Sequence, residues 1–134
     1  MATANQTKPN AYIERANHKR LHLYIRDAGG GVDLEMNDAA DDAVIGVAGS
    51  GFQYICWCMV ISTENADADV DILDADNGNV IHRCHPESAG VYVFNFPDNS
   101  PLEFGENKTV WVTHTAAAGE ALSVEWFGTI EKVK

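Results

Sequence analysis

Apolar and polar residues alternate in short, evenly spaced segments along most of the chain, and this period-two pattern predicts strands. Leu21, Leu23 and Ile25 share one face of an extended segment at 21–26, and Val32, Leu34 and Met36 alternate with Asp33, Glu35 and Asn37. Further strands are expected at 44–47, 52–61, 68–72, 80–84, 91–96, 109–113 and 121–130, with Ala68, Val70 and Ile72 opposing Asp67, Asp69 and Asp71. The breaks carry turn chemistry: Gly49-Ser50-Gly51, Asp76-Asn77-Gly78-Asn79, Pro97 to Pro101 and Ala116 to Glu120. The run at 52–61 departs from strict alternation. It is apolar on both faces, which predicts a central strand covered on one side by the core and on the other by an assembly partner.

Eight or so strands separated by turns, with no long amphipathic helix, predict an all-β fold, an antiparallel β-sandwich or jelly roll. Residues 10–20 read as an extended arm or a short helix opened by Asn10, and Gly29-Gly30-Gly31 as a flexible break. With 134 residues the chain is one domain's worth and needs no disulfide or metal staple to hold a core. The longest apolar run is strand-sized, so no membrane span is predicted. The N-terminal residues lack the apolar stretch of a secretory signal, and synthesis in a cytosol is expected.

Charge divides the chain. The formal charge is −11, yet residues 1–26 hold Lys8, Arg15, Lys19, Arg20 and Arg26 against Glu14 alone, while the remainder holds four basic residues against nineteen acids. This predicts a basic N-terminal arm, 1–27, and an acidic β-sandwich body, 28–134. An acidic body repels phosphate backbones and argues against nucleic acid as a partner. The arm suits an acidic protein surface.

Candidate chemistry is sparse. Asp67, Asp69, Asp71, Asp74 and Asp76 have the composition of a calcium loop, but neither register places Gly sixth and Glu twelfth, and a solvated strand face is the simpler reading. Cys56 and Cys58 on one strand with His82, Cys84 and His85 on another offer a zinc set if the strands meet, although C-x-C within a strand lacks the turn of a zinc knuckle. Three cysteines make a poor disulfide framework and read as small core residues. No nucleophile elbow is present; His18, His22 and His114 have no partner visible in the sequence. The expectation is no enzyme, no cofactor and no metal. Tyr54, Trp57, Trp111, Trp126 and Phe127 leave a carbohydrate platform open, with core or interface the favoured use.

Residues 44–134 resemble the small virion proteins of tailed bacteriophages, namely the β-sandwich or jelly-roll head decoration (cement) proteins and related tail modules. The resemblance lies in the strand opening Phe52-Gln53-Tyr54-Ile55 after Gly51, the Asp71 to Gly78 segment, Pro97 to Gly105 ahead of a strand, and Ala117 to Val124 leading to Gly128-Thr129-Ile130. It implies a structural capsid protein on the outer surface of the virion, made in the host cytoplasm. Such proteins bind the major capsid protein between subunits and associate with themselves as dimers or trimers. On this reading Arg15, Lys19, Arg20 and Arg26 contact the capsid, and Tyr54, Trp57 and Met59 form the oligomer interface. The alternative is a tail-associated carbohydrate- or receptor-binding module.

Overall fold

The structure is a computed structural model, and it describes residues 18–27, 33–64, 68–97, 99–116 and 119–133. Eleven strands form among them, and no helix. They are β1 (His18–Asp27), β2 (Leu34–Glu35), β3 (Asn37–Asp38), β4 (Ala43–Val44), β5 (Phe52–Thr63), β6 (Val70–Leu73), β7 (Val80–Cys84), β8 (Gly90–Asn95), β9 (Leu102–Glu103), β10 (Trp111–His114) and β11 (Leu122–Lys132).

All pairings are antiparallel and fall into two sheets. The larger runs β4-β3-β1-β11-β5-β8, with β9 also pairing β5; the smaller runs β2-β10-β6-β7. The chain crosses between sheets at β1 to β2, β2 to β3, β5 to β6, β7 to β8, β9 to β10 and β10 to β11. The orders β1-β11-β5-β8 and β2-β10-β6-β7 are those of a jelly roll. Segments 18–27, 52–63 and 122–132 make the backbone of the larger sheet, because each is long and places one apolar row inward.

The core lies between the sheets. Leu23 and Ile25 of β1, Tyr54, Cys56, Met59 and Ile61 of β5, and Leu122, Val124 and Trp126 of β11 meet Val70 and Ile72 of β6, Cys84 of β7 and Val112 of β10. Trp126 is fully buried, edge-on to Tyr54 at 6.2 Å and to Phe104 at 6.1 Å. Burial pushes the Tyr54 phenol up to about 12, and its hydroxyl donates to the Gly46 carbonyl at 3.0 Å, which ties the loop after β4 to the core.

The expected boundary at residue 27 is corrected. β1 pairs with β11 over ten residues and with β3 on its other edge, so it is an interior strand of the body. The reason is the row Leu21, Leu23 and Ile25, which closes the core; Arg20, His22 and Arg26, on the alternate positions, face outward. Residues 1–17, including the arm-or-helix expectation for 10–17, lie outside the described residues. The polar stretch 37–42 turns within a short β3-β4 hairpin, where Asp42 adopts a positive φ of 56°.

Candidate assembly surface

The outer face of the larger sheet is built row by row from its register. Arg26, Ser123, Ser62 and Val91 form one cross-strand row; Tyr24, Glu125, Val60 and Val93 form the next; His22, Phe127, Cys58 and Asn95 form the third. Charge sits on the β1 side and apolar surface on the β8 side. Glu125 organises the charged side: its carboxylate takes His22 Nε2 at 2.6 Å and Arg26 at 2.9 Å. Arg26 also lies 4.6 Å over the Tyr24 ring, and the Tyr24 hydroxyl donates to Asp42 at 2.7 Å. That hydrogen bond to a carboxylate raises the Tyr24 pKa. The His22 ring stacks on Phe127 at 4.5 Å.

A β-bulge gives this face its main relief. Phe127 pairs with Cys58 but Gly128 with Cys56, so Trp57 is an extra residue on β5. The bulge explains the run at 52–61, which is apolar on both faces partly because its inward row changes parity, from Tyr54 and Cys56 to Met59 and Ile61. Tyr54 and Met59 are therefore core residues, which corrects the expectation that they join Trp57 at an oligomer interface. Trp57 alone of the three faces outward, half-buried. It lines an open groove of about 690 Å³ with Arg20, Leu21, Phe127, Thr129 and Glu131. Two residues selected from the sequence for different roles, Arg20 and Trp57, thus line one groove. Arg26 lies further along β1; Arg15 is outside the described residues, and Lys19 is placed by its backbone alone, at Ile130 on β11.

The metal candidates separate. The bulge turns Cys56 inward and Cys58 outward, so the two thiols lie on opposite faces of the sheet, although alternation along a regular strand places them on one. His82 and Cys84 face the sandwich interior, whereas His85 is outside, bonded to Asp69. No group of three metal-ligating side chains converges among the described residues. Burial raises the Cys56 thiol to about 12 and also raises Cys84, which suppresses the thiolate forms. The aspartate cluster resolves into local structure. Asp71 pairs with Arg83 at 2.8 Å across the outer face of the smaller sheet. Asp74 is buried and accepts from the Asn79 backbone at 2.8 Å and its side-chain amide at 3.3 Å, locking the β6-β7 turn; Asp67 lies outside the described residues.

Sequence reasoning missed the partner of His114. Its Nδ1 accepts from the Ala116 N–H at 3.1 Å, so Nε2 carries the proton and donates to Asp27 at 2.8 Å. With both ring nitrogens engaged, this buried histidine clamps β10 of one sheet to the end of β1 in the other. The two residues are 87 apart, and no local signal connects them. None of the three indoles is exposed: Trp126 is buried, and Trp57 and Trp111 are half-buried.

No protein-family model matches the chain, and no curated protein matches it in sequence. Among solved structures it is similar to the coat protein of Tobacco streak virus, at 12% identity and a TM-score of 0.43 over 88% of this chain and 87% of that one. It is also similar to a protein of Bacillus endospore appendages, described as disulfide-linked pili, at 6% identity and a TM-score of 0.43 over 88% and 90%. A third likeness is to a virus-like particle of the extra small virus of the giant freshwater prawn Macrobrachium rosenbergii, at 11% identity and a TM-score of 0.37 over 87% and 81%. At these values the likeness is one of strand layout and carries nothing about what the chain does.

Proposed function

We propose that this protein is a non-enzymatic structural protein of a virion, a decoration or cement subunit that binds between major capsid protein subunits on the outside of a tailed-phage head. The observation that carries the reading is the groove on the outer face of the larger sheet, which the exposed Arg20 and the half-buried Trp57 both line. Arg and Trp are the residue types that dominate binding energy at protein interfaces, and a half-buried indole held by a bulge is already ordered before a partner arrives. Arg20 and Arg26 give this side of an otherwise acidic molecule its affinity for an acidic capsid surface, and Arg15 and Lys19 belong to the same basic segment of the sequence. The carbohydrate-binding alternative has less to stand on, since it needs an exposed aromatic platform, no indole is exposed, and the ring of Phe127 is stacked against His22.

The test is reconstitution on empty shells that lack this protein, read as occupancy by cryo-EM and as resistance of the shell to heat. The parent chain is expected to bind at many symmetry-related positions and to raise shell stability. Arg20→Glu and Trp57→Ala, each checked for a folded far-UV spectrum, are expected to lower occupancy at least tenfold. Absence of binding to any shell, or a location restricted to a few copies at the tail, overturns the reading.

A further inference from the structure

The larger sheet ends on β8, which among the described residues pairs with β5 on one side only. The Phe96 N–H donates to the Trp57 carbonyl at 2.8 Å, so the even-numbered residues of this strand direct their backbone groups toward β5. By the alternation of an antiparallel ladder, the N–H and C=O of Val91, Val93 and Asn95 point out of the sheet edge. Gly90–Asn95 has none of the devices that blunt an edge: no charged side chain, no proline and no bulge. The other edges differ. β7 carries Arg83, β2 carries Glu35, and β4 is two residues long and follows Asp41 and Asp42. Val91 and Val93 are 67% and 57% exposed, in line with Val60 on the same outer face.

We propose that β8 is a self-pairing edge, and that two copies of this chain join antiparallel through residues 91–95 about a two-fold axis at Val93. In that register Val93 meets Val93 of the partner subunit, Tyr92 faces Phe94 of the partner subunit, and Val91 faces Asn95 of the partner subunit. All three outward pairs of backbone groups are then satisfied, giving about six interchain hydrogen bonds. The valines meet at the axis on the outer face, and the aromatic rings meet on the inner face, where Tyr92 and Phe94 are half-buried. The occupant is a second copy because the strand matches itself on both faces. Each copy carries −11, so two copies repel wherever acidic surfaces meet, and this uncharged edge is where that repulsion is least. The interface goes beyond capsid binding and does not rest on it, since it belongs to the isolated protein.

Sedimentation velocity on the full chain, from micromolar to millimolar and at low and high salt, tests it. The expected result is a reversible dimer that tightens as salt screens the like charges. Val93→Lys sets two ammonium groups against each other at the axis and is expected to leave a folded monomer throughout. Val47→Lys, at a valine 59% exposed elsewhere, is expected to leave the dimer unchanged. Amide exchange at Val91, Val93 and Asn95 should be slow in the dimer and fast in Val93→Lys. A parent chain that is monomeric at every concentration and salt, or a dimer that survives Val93→Lys, overturns the proposal. Arg20→Glu, which targets shell binding, should still dimerise, so the two ideas fail separately.

Discussion

Replacing Gly128 by alanine is expected to be among the most damaging single changes to this fold. Gly128 sits at the bulge, opposite Cys56, and a Cβ there falls 1.9 Å from the Ile55 carbonyl oxygen, 2.7 Å from Cη2 of Trp126 and 2.9 Å from the Ile55 carbonyl carbon. A comfortable carbon–oxygen contact is about 3.3 Å, so the two strands must separate by roughly 1 Å or more. Neither neighbour yields readily. One is backbone of the central strand, and the other is the most voluminous fully buried side chain. Overpacking a rigid core costs about 1–3 kcal/mol, and a clash with backbone belongs at the top of that range, so about 3 kcal/mol is expected. For a chain of this length that lowers the melting temperature by about 10 °C. Urea unfolding followed by tryptophan fluorescence measures it. Gly119→Ala is the control: it has open space around the added carbon but a φ of +86°, so it carries only the left-handed penalty of about 1–2 kcal/mol. If Gly128→Ala costs less than about 1 kcal/mol, or no more than Gly119→Ala, the steric reasoning at the bulge is wrong.

Four further outcomes are expected. His82 is half-buried between Phe94 and Phe96 with its Nε2 unpartnered, and desolvation lowers its pKa; the folded state therefore favours the neutral ring, and its contribution to stability is lost as pH falls below the ordinary histidine value of about 6.5. His82→Leu should flatten that part of the profile of urea midpoint against pH. His114→Ala strands the Ala116 N–H and removes the donor to Asp27 in a buried site, and should cost about 2–3 kcal/mol in the same assay. A thiol reagent on the folded protein should modify Cys58 and spare Cys56 and Cys84, with all three reacting in urea; fast reaction of three thiols without denaturant would contradict the burial. A chain that begins after Asp27 lacks β1 and should show no cooperative unfolding, because β11 and β3 each lose one of their two partners and the inward row of Leu23 and Ile25 is gone.

How much of this was readable without coordinates depends on the range of the interactions involved. Strands at 52–61, 80–84 and 91–96 are legible because alternation is a local property of the chain, and the two-sheet class follows from their number and spacing. Leu21, Leu23 and Ile25 announce an inward row as clearly as any other strand. The charge count alone assigns that segment to an arm, since charge is summed along the chain without regard to which side each residue faces. Local pattern also explains why the aspartates at 69 and 71 lie on one solvated face and why Asp74 to Asn79 turns.

The sequence by itself determined the all-β class, most strand positions, the turn chemistry and the excess of acid. Tertiary structure decided what those strands do to one another. The bulge at Trp57 depends on a mismatch with Gly128, some seventy residues away, and it alone separates Cys56 from Cys58 and sends Tyr54 and Met59 into the core. The clamp of His114 on Asp27 and the fan of His22 and Arg26 on Glu125 likewise join residues from distant strands. Whether the uncharged segment Gly90–Asn95 is a covered strand or an open edge is equally a matter of topology. Side-chain alternation is written into each segment, but register, edge position and the identity of cross-strand neighbours exist only once distant segments have paired.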